Sequence, residues 1–398
     1  MNVQNINLRT LFLQHVAQTS DAPMGIEVER ADGIYIYSTD GKRYVDLIAG
    51  VSVSNVGHCH PKVVEAVSAQ VAKYMHVMVY GEYIESPQVL FAKRLTELLP
   101  ENLSAVYFVN SGSEAVEGAL KLAKRYTGRT EMISFRNAYH GSSHGAMSVM
   151  GSENFKNAFR PLLPDTRILN FNAENDLQQI TKRTACVIVE PIQGEAGIIL
   201  PENDFLKKLR MRCNETETLL IFDEIQTGLG RTGTLFAFER YGVVPDILCA
   251  AKSIGGGMPL GAFISSNEIM STLKSNPALG YITTFGGHPV SCAAALAALN
   301  VVVNENLLSQ VDEKSNHFKR LLTHKKIKAV RGTGLFFAVE LGSSELRERF
   351  IYKGIEHGLL SDWFLFCDTA FRISPPLTIT IEQINETVNI INSILDEI

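Results

Sequence analysis

The chain has 398 residues, 45% hydrophobic and 20% charged, with a formal net charge of −5. That length is too great for one small core and predicts two or three domains; the composition is ordinary for a soluble globular enzyme, and the charge offers nothing to nucleic acid or to an anionic membrane surface. There is no apolar run of membrane-spanning length, no secretory pattern in "MNVQNINLRTLFLQHVAQTS", and no CxxC pairing among Cys59, Cys186, Cys213, Cys249, Cys292 and Cys367, so a reduced, cytoplasmic protein is expected.

The first fifty residues carry two strand patterns, "GIYIY" and "RYVDLI", and are expected to pack with the C-terminal part. "GHCHP" (57–61) holds metal-ligand residue types, but without a distant partner pair it reads as a polar turn. Six apolar, β-rich runs follow: "AVYFVN" (105–110), "EMISF" (131–135), "ACVIVE" (185–190), "TLLIFDE" (218–224), "DILCAA" (246–251) and "GAFISS" (261–266). Helical patterns separate them, as in "SEAVEGALKLAKRYTG", with small or apolar residues at 115, 119, 122, 123 and 126. Such alternation predicts a mostly parallel sheet with helices on both faces, whose chemistry sits at the carboxyl ends of its strands. The last hundred residues run helix, "AVRGTGLFFAVEL", helix, "FRISPPLTIT", helix, which reads as a smaller α+β unit. The expected division is 1–50, 51–290 and 291–398.

Four strand ends carry candidate chemistry. Ser111 and Glu114 fit a capping box, which leaves the amides of Gly112 and Ser113 at a helix N-terminus, a ready phosphate site; alone, an ordinary capped helix explains them as well. Tyr139 and His140 follow the next strand, where an aromatic ring can lie flat against a ring-shaped cofactor. His140 and His144 have zincin spacing, but Gly141 stands where that motif needs glutamate. Gly228, Gly230 and Gly233 match GxGxxG, yet Asp223, Glu224 and Gln226 separate them from the strand, so the tight strand–glycine turn is missing. Asp223 is itself a carboxylate at the end of an apolar strand, costly unless it meets a cation; a protonated pyridine ring or a helix N-cap role accounts for it. Lys252 closes "DILCAA", and Gly255, Gly256 and Gly257 follow. A lysine with a lowered pKa is what Schiff-base chemistry needs, although a lone lysine there is more often a snorkelling one. Together the four supply a phosphate cup, a stacking aromatic, a carboxylate for a pyridinium nitrogen and an amine for an aldehyde, the set that pyridoxal 5′-phosphate requires.

The ordered series "GIYIYSTDGKRYVDL", "GHCHP", "NSGSEAVEGALKLAK", "YHG", "VEPIQGEAG", "FDEIQTGLGRTG", "AAKSIGGGMPLGA", "TTFGGHP" and "RISPPL" spans nearly the whole chain. It strongly resembles the class III pyridoxal-phosphate aminotransferases, the group of ornithine, acetylornithine and other ω-amino-acid aminotransferases. The resemblance implies an α/β protein of PLP-dependent transferase fold type I, with a mostly parallel seven-stranded sheet in the large domain. It implies that Lys252 forms the Schiff base and, once displaced, shuttles a proton; that Asp223 pairs with the ring nitrogen and Gln226 approaches the ring hydroxyl; and that Tyr139 stacks on the ring. Gly112 and Ser113 would bind the phosphate, with His140 and Glu190 bordering the cofactor. Thr284 would reach the phosphate of a neighbouring subunit, which implies a homodimer with shared active sites. Arg372 would grip a substrate carboxylate, and Glu195 would cover it when an ω-amine substrate binds. The implied reaction moves an amino group from an amino acid or amine donor to 2-oxoglutarate or pyruvate by ping-pong half-reactions.

The carboxylate-recognition set departs from the pattern. Ser142 stands where the ornithine and acetylornithine branch carries an arginine, Val51 where the ornithine branch has a tyrosine, Asp21 where a second tyrosine is expected, and His288 makes "FGGHP" of "FGGNP". Loss of a buried bidentate arginine changes substrate choice by orders of magnitude. A racemase or epimerase on the same fold is the alternative; a nicotinamide dehydrogenase built on "GLGRTG" is a weaker one.

Overall fold

The computed structural model describes residues 7–398. Near the N-terminus, β1 (Val28–Asp32), β2 (Tyr35–Ser38) and β3 (Arg43–Asp46) form an antiparallel meander. The central sheet holds β4 (Ala105–Val109), β5 (Glu131–Phe135), β6 (Thr166–Leu169), β7 (Thr184–Val189), β8 (Leu219–Asp223), β9 (Ile247–Ala251) and β10 (Gly261–Ser265), in the order β4-β10-β9-β8-β7-β5-β6. All its pairings are parallel except those of β10, which runs antiparallel to β4 and β9. Strands β5, β7, β8, β9 and β10 are buried along their whole lengths. Covered on both faces, they read as continuous apolar runs rather than as alternation. The six apolar runs of the sequence correspond to six of these strands. The seventh, β6, has no counterpart among those runs: it is a four-residue edge strand with one buried position, too short and too mixed to stand out.

The C-terminal strands are β11 (Ala329–Thr333), β12 (Phe336–Glu340), β13 (Leu359–Leu360), β14 (Trp363–Phe364) and β15 (Cys367–Ile373). β11, β12, β15 and β14 form a second four-stranded sheet, while β13 adds to β3 in parallel, so the first fifty residues and the C-terminal part share one sheet. Within "FRISPPLTIT" the strand ends at Ile373. The Ser374 amide donates to Leu47 O instead, and Pro375 and Pro376 have no amide to continue a ladder.

Two helices place the site. Helix Gly112–Thr127 buries Val116, Ala119, Leu120, Leu122 and Ala123 and ends at Gly128, whose φ of 67° is the left-handed helix terminus that glycine favours. It lies so close to the sheet that a Cβ at Gly118 would sit 2.2 Å from the Phe263 ring. Half of its capping box forms: Ser111 Oγ accepts from the Glu114 amide, but the Glu114 carboxylate reaches one residue further back, to the Asn110 amide at 2.7 Å. Helix Pro289–Asn304 is apolar on nearly every side and correspondingly buried. It packs under the turn after β9, where a Cβ at Gly256 would meet Ala294 O at 2.8 Å.

Candidate active site

A cavity of about 180 Å³ opens at the carboxyl ends of the central strands. Its wall contains Ser111, Gly112 and Ser113 after β4, Tyr139 and His140 after β5, Glu190 after β7, Asp223 at the end of β8, and Lys252 after β9. Parallel strands bring these sequence-distant ends to one edge, where β7, β8 and β9 run side by side in register.

The phosphate cup is the first turn of helix Gly112–Thr127. Its free amides and the helix dipole favour an anion. Gly141, at φ 122°, closes over it; a Cβ there would fall 2.2 Å from Ser113 Oγ, so only glycine leaves the cup its shape. Opposite, Asp223 lies in the buried end of β8, with Oδ1 accepting the Ile225 amide at 3.1 Å and Oδ2 2.7 Å from His140 Nδ1. His140 Nε2 is buried without a partner among the described residues. Glu190 is structural as well as cavity-lining: it accepts from the amides of Tyr139 (3.0 Å) and Gly194 (2.8 Å), and burial pushes its carboxyl up to about 7 against the pull of His140. Burial, and then Glu195, also raise the Tyr139 phenol.

Lys252 begins the turn after β9 with a φ of 51°. A side-chain-bearing residue in this left-handed region stores strain on the order of 1–3 kcal/mol, and such strain gathers at functional sites. Burial lowers its amine to about 8; Glu195, Asp223 and Glu190 pull it up and Arg372 pushes it down. A lysine in this state is a competent base and nucleophile near neutral pH. The cavity thus joins an anion cup, a flat wall, a buried carboxylate and an activated amine, which fit the phosphate, ring, ring nitrogen and aldehyde of pyridoxal phosphate.

Beyond Lys252 lies a second charged group. Arg372, 1% exposed, donates from Nη2 to Glu195 Oε1 and Oε2 at 3.0 and 3.2 Å and from Nη1 to Gln226 Oε1 at 3.1 Å. Gln226 Nε2 donates to Glu195 Oε1 at 2.8 Å, so the Gln226 amide bridges the ion pair. Burial is the largest influence on each partner and opposes its charge, but Arg372, Lys252, Gln226 and the Leu365 amide together hold the Glu195 carboxyl below its ordinary value, and Asp362 with Glu195 raises the Arg372 guanidinium. Arg372 and Glu195 do not line the cavity itself, and three other sequence candidates also stand apart from its wall. Ser142 is exposed beside Gly141, its amide donating to Ser113 Oγ at 3.3 Å. Val51 sits in a left-handed turn, Ala49–Ser52, braced by Asp46, which accepts the Ile48 and Ala49 amides and meets His58 Nε2 at 2.8 Å. Thr284 is exposed on the surface.

Two further residues shape the site without a signal in the sequence. Arg231, fully buried within "GLGRTG", donates from Nη1 to Leu335 O and Pro375 O and from Nη2 to Asn55, tying the two sheets together. The glycines around it serve packing: a Cβ at Gly230 would strike Leu377 at 2.7 Å. That accounts for the GxGxxG match without a dinucleotide. Asp362 holds Arg372 Nε at 2.8 Å, and nothing in its local sequence announces this.

The family model described as aminotransferase class-III matches residues 16–395. The chain is 39% identical over 380 residues to the acetylornithine aminotransferase of Methanocaldococcus jannaschii, covering 92% of each. Among solved structures it is similar to the ornithine aminotransferase of Toxoplasma gondii (TM-score 0.90, 30% identity, 98% of this chain and 93% of that one). It is also similar to a PLP-bound amine transaminase from an uncultivated Pseudomonas species (TM-score 0.88, 29% identity, 96% and 98%). With motifs, fold and strand-end cavity in agreement, the chain belongs to the class III aminotransferases and is a pyridoxal-phosphate-dependent enzyme of that family.

Proposed function

We propose that this aminotransferase takes its amino group from an ω-amino acid or amine donor and passes it to a 2-oxo acid, pyruvate being well accepted beside 2-oxoglutarate, in a homodimer with shared active sites. The observation that supports this reading is the single carboxylate anchor: Arg372 is closed by Glu195, and at the position of the family's second arginine stands the exposed, neutral Ser142. An ω-amine donor can react with Glu195 in place; a 2-oxo acid displaces it and uses Arg372 alone.

The residues divide the work. When bound, pyridoxal phosphate supplies an aldehyde for amines and a ring that draws electrons from the substrate Cα. The Asp223 carboxyl group would face the ring nitrogen and keep a proton on that atom. Lys252, with its amine lowered to about 8, holds the cofactor and then carries a proton to and from Cα. The Gly112 and Ser113 amides and the helix dipole would hold the phosphate. Tyr139, on the cavity wall, would cover a face of the ring.

Support for the dimer comes from the surface. Leu279 and Ile282, both exposed, line one cavity with Tyr80 and Glu82, and Tyr83, Ile84 and Phe285, close to these residues along the chain, are exposed as well, Ile84 at 94%. An apolar patch of this kind marks an interface. The reading of a reduced, cytoplasmic protein has its support in Cys186, Cys213, Cys249 and Cys292, buried and unbridged. The test is a donor screen on the purified enzyme with pyruvate and with 2-oxoglutarate, following stoichiometric oxo product from the donor. Substantial turnover with pyruvate supports the reading; strict dependence on 2-oxoglutarate, or inverted donor without oxo product, refutes it.

A further inference from the structure

We infer that Asp362 is the positioning residue for Arg372 and sets how tightly the enzyme holds the carboxylate of its 2-oxo acid; this rests on Arg372 being the carboxylate anchor. The buried guanidinium meets two acids on different edges. Glu195 comes from the loop after β7 and closes the Nη edge, the side shared with Gln226 and acted on by Lys252. Asp362 comes from the small sheet, beside β14, and takes Nε at 2.8 Å. The same segment wraps the rest of the residue. The Arg372 amide donates to Asp362 O at 3.0 Å, Ser361 Oγ donates to Arg372 O at 2.7 Å, and Arg372 Nη2 donates to Trp363 O at 3.3 Å. The Phe364 ring lies 4.6 Å from the guanidinium carbon.

Only one of the two acids can yield to substrate. Glu195 lies on a separate element and is bonded to Gln226, which lines the cavity, whereas Asp362 is built into the strand pairing of Arg372 itself, where Trp363 pairs with Phe371. A guanidinium is planar, so fixing Nε fixes the plane in which Nη1 and Nη2 present themselves. With Glu195 displaced, Asp362 keeps the fork aligned for a bidentate carboxylate and keeps the buried cation from losing all countercharge.

The experiment compares Asp362→Ala, Asp362→Asn and Arg372→Gln as holoenzymes. It measures kcat and KM for pyruvate and 2-oxoglutarate, and binding of glutarate, a non-reacting carboxylate, through the emission of Trp363, the only tryptophan. Asp362→Ala should raise both KM values and the glutarate Kd roughly tenfold or more, with kcat changed by about twofold at most. Asp362→Asn, which keeps an acceptor but no charge, should raise them several-fold, and it decides the matter alone if the alanine variant does not fold. KM and Kd within about twofold of wild type in the aspartate variants, while Arg372→Gln loses both, would overturn the positioning role. A fall in kcat at unchanged KM would overturn it equally. If Arg372→Gln is also silent, the anchor assignment itself fails.

Discussion

Glu195 Oε1 and Arg372 Nη2 lie 3.0 Å apart as a buried ion pair that joins the loop after β7 to β15, and so the central sheet to the small one. On the proposed reading, the pair occupies the place a substrate carboxylate needs. Replacing Glu195 by Gln keeps the shape and removes the charge, so a 2-oxo acid then displaces only a neutral amide. The KM for 2-oxoglutarate should fall several-fold, while an ω-amino acid donor should lose ground because its carboxylate is drawn to the uncovered guanidinium. Steady-state kinetics with both substrates checks this; unchanged KM values would contradict a gate.

Substrate choice should respond to Ser142. It is exposed beside the phosphate cup, so an arginine there has room to reach over Gly141 toward the cavity mouth. Ser142→Arg should raise the ratio of kcat/KM for 2-oxoglutarate over pyruvate roughly tenfold or more, the worth of one charge-assisted contact. A wild type already strict for 2-oxoglutarate and indifferent to the substitution would show that another cation does this work.

The strained, half-buried Lys252 should cost the cofactor-free protein stability in a pH-dependent way. Its amine is lowered to about 8 from an ordinary 10.5, so between these values the unfolded chain binds a proton that the folded one does not. Stability therefore rises with pH across that window, and the full penalty, on the order of 3 kcal/mol, applies below pH 8. Cofactor-free Lys252→Met should melt a few degrees above wild type at pH 7, with the gap narrowing toward pH 10. A gap that is absent at pH 7 or widens with pH would refute the lowered amine.

Thr284 tests the shared site. It is exposed on this subunit, next to the apolar segment that holds Phe285. Thr284→Ala should weaken cofactor retention by several-fold in dialysis while leaving the thermal transition in place. An active monomer in sedimentation at assay concentration would contradict the dimer reading.

The central sheet is legible in the sequence because its strands are buried on both faces and therefore apolar throughout; the runs for β4, β5 and β7 to β10 stand out, whereas the short edge strand β6 does not. The cavity wall is legible for a related reason: Asp223 and Lys252 are unexpected residue types at the ends of apolar strands, Gly112 opens a helix after another, and strand ends converge in a parallel sheet. What stays hidden lies between elements. Gln226 is expected against a ring hydroxyl, and its amide is tied to Glu195 and Arg372. Arg231 and Asp362 act across the junction of two sheets, through backbone carbonyls and a guanidinium edge that no local pattern encodes.

The most direct measurement is borohydride reduction of the holoenzyme followed by mass spectrometry of its peptides. If Lys252 holds the cofactor, a single pyridoxyl adduct forms on it, and none forms in Lys252→Ala, even where that variant still retains cofactor. An adduct on another lysine, or one that persists in Lys252→Ala, would contradict the assignment.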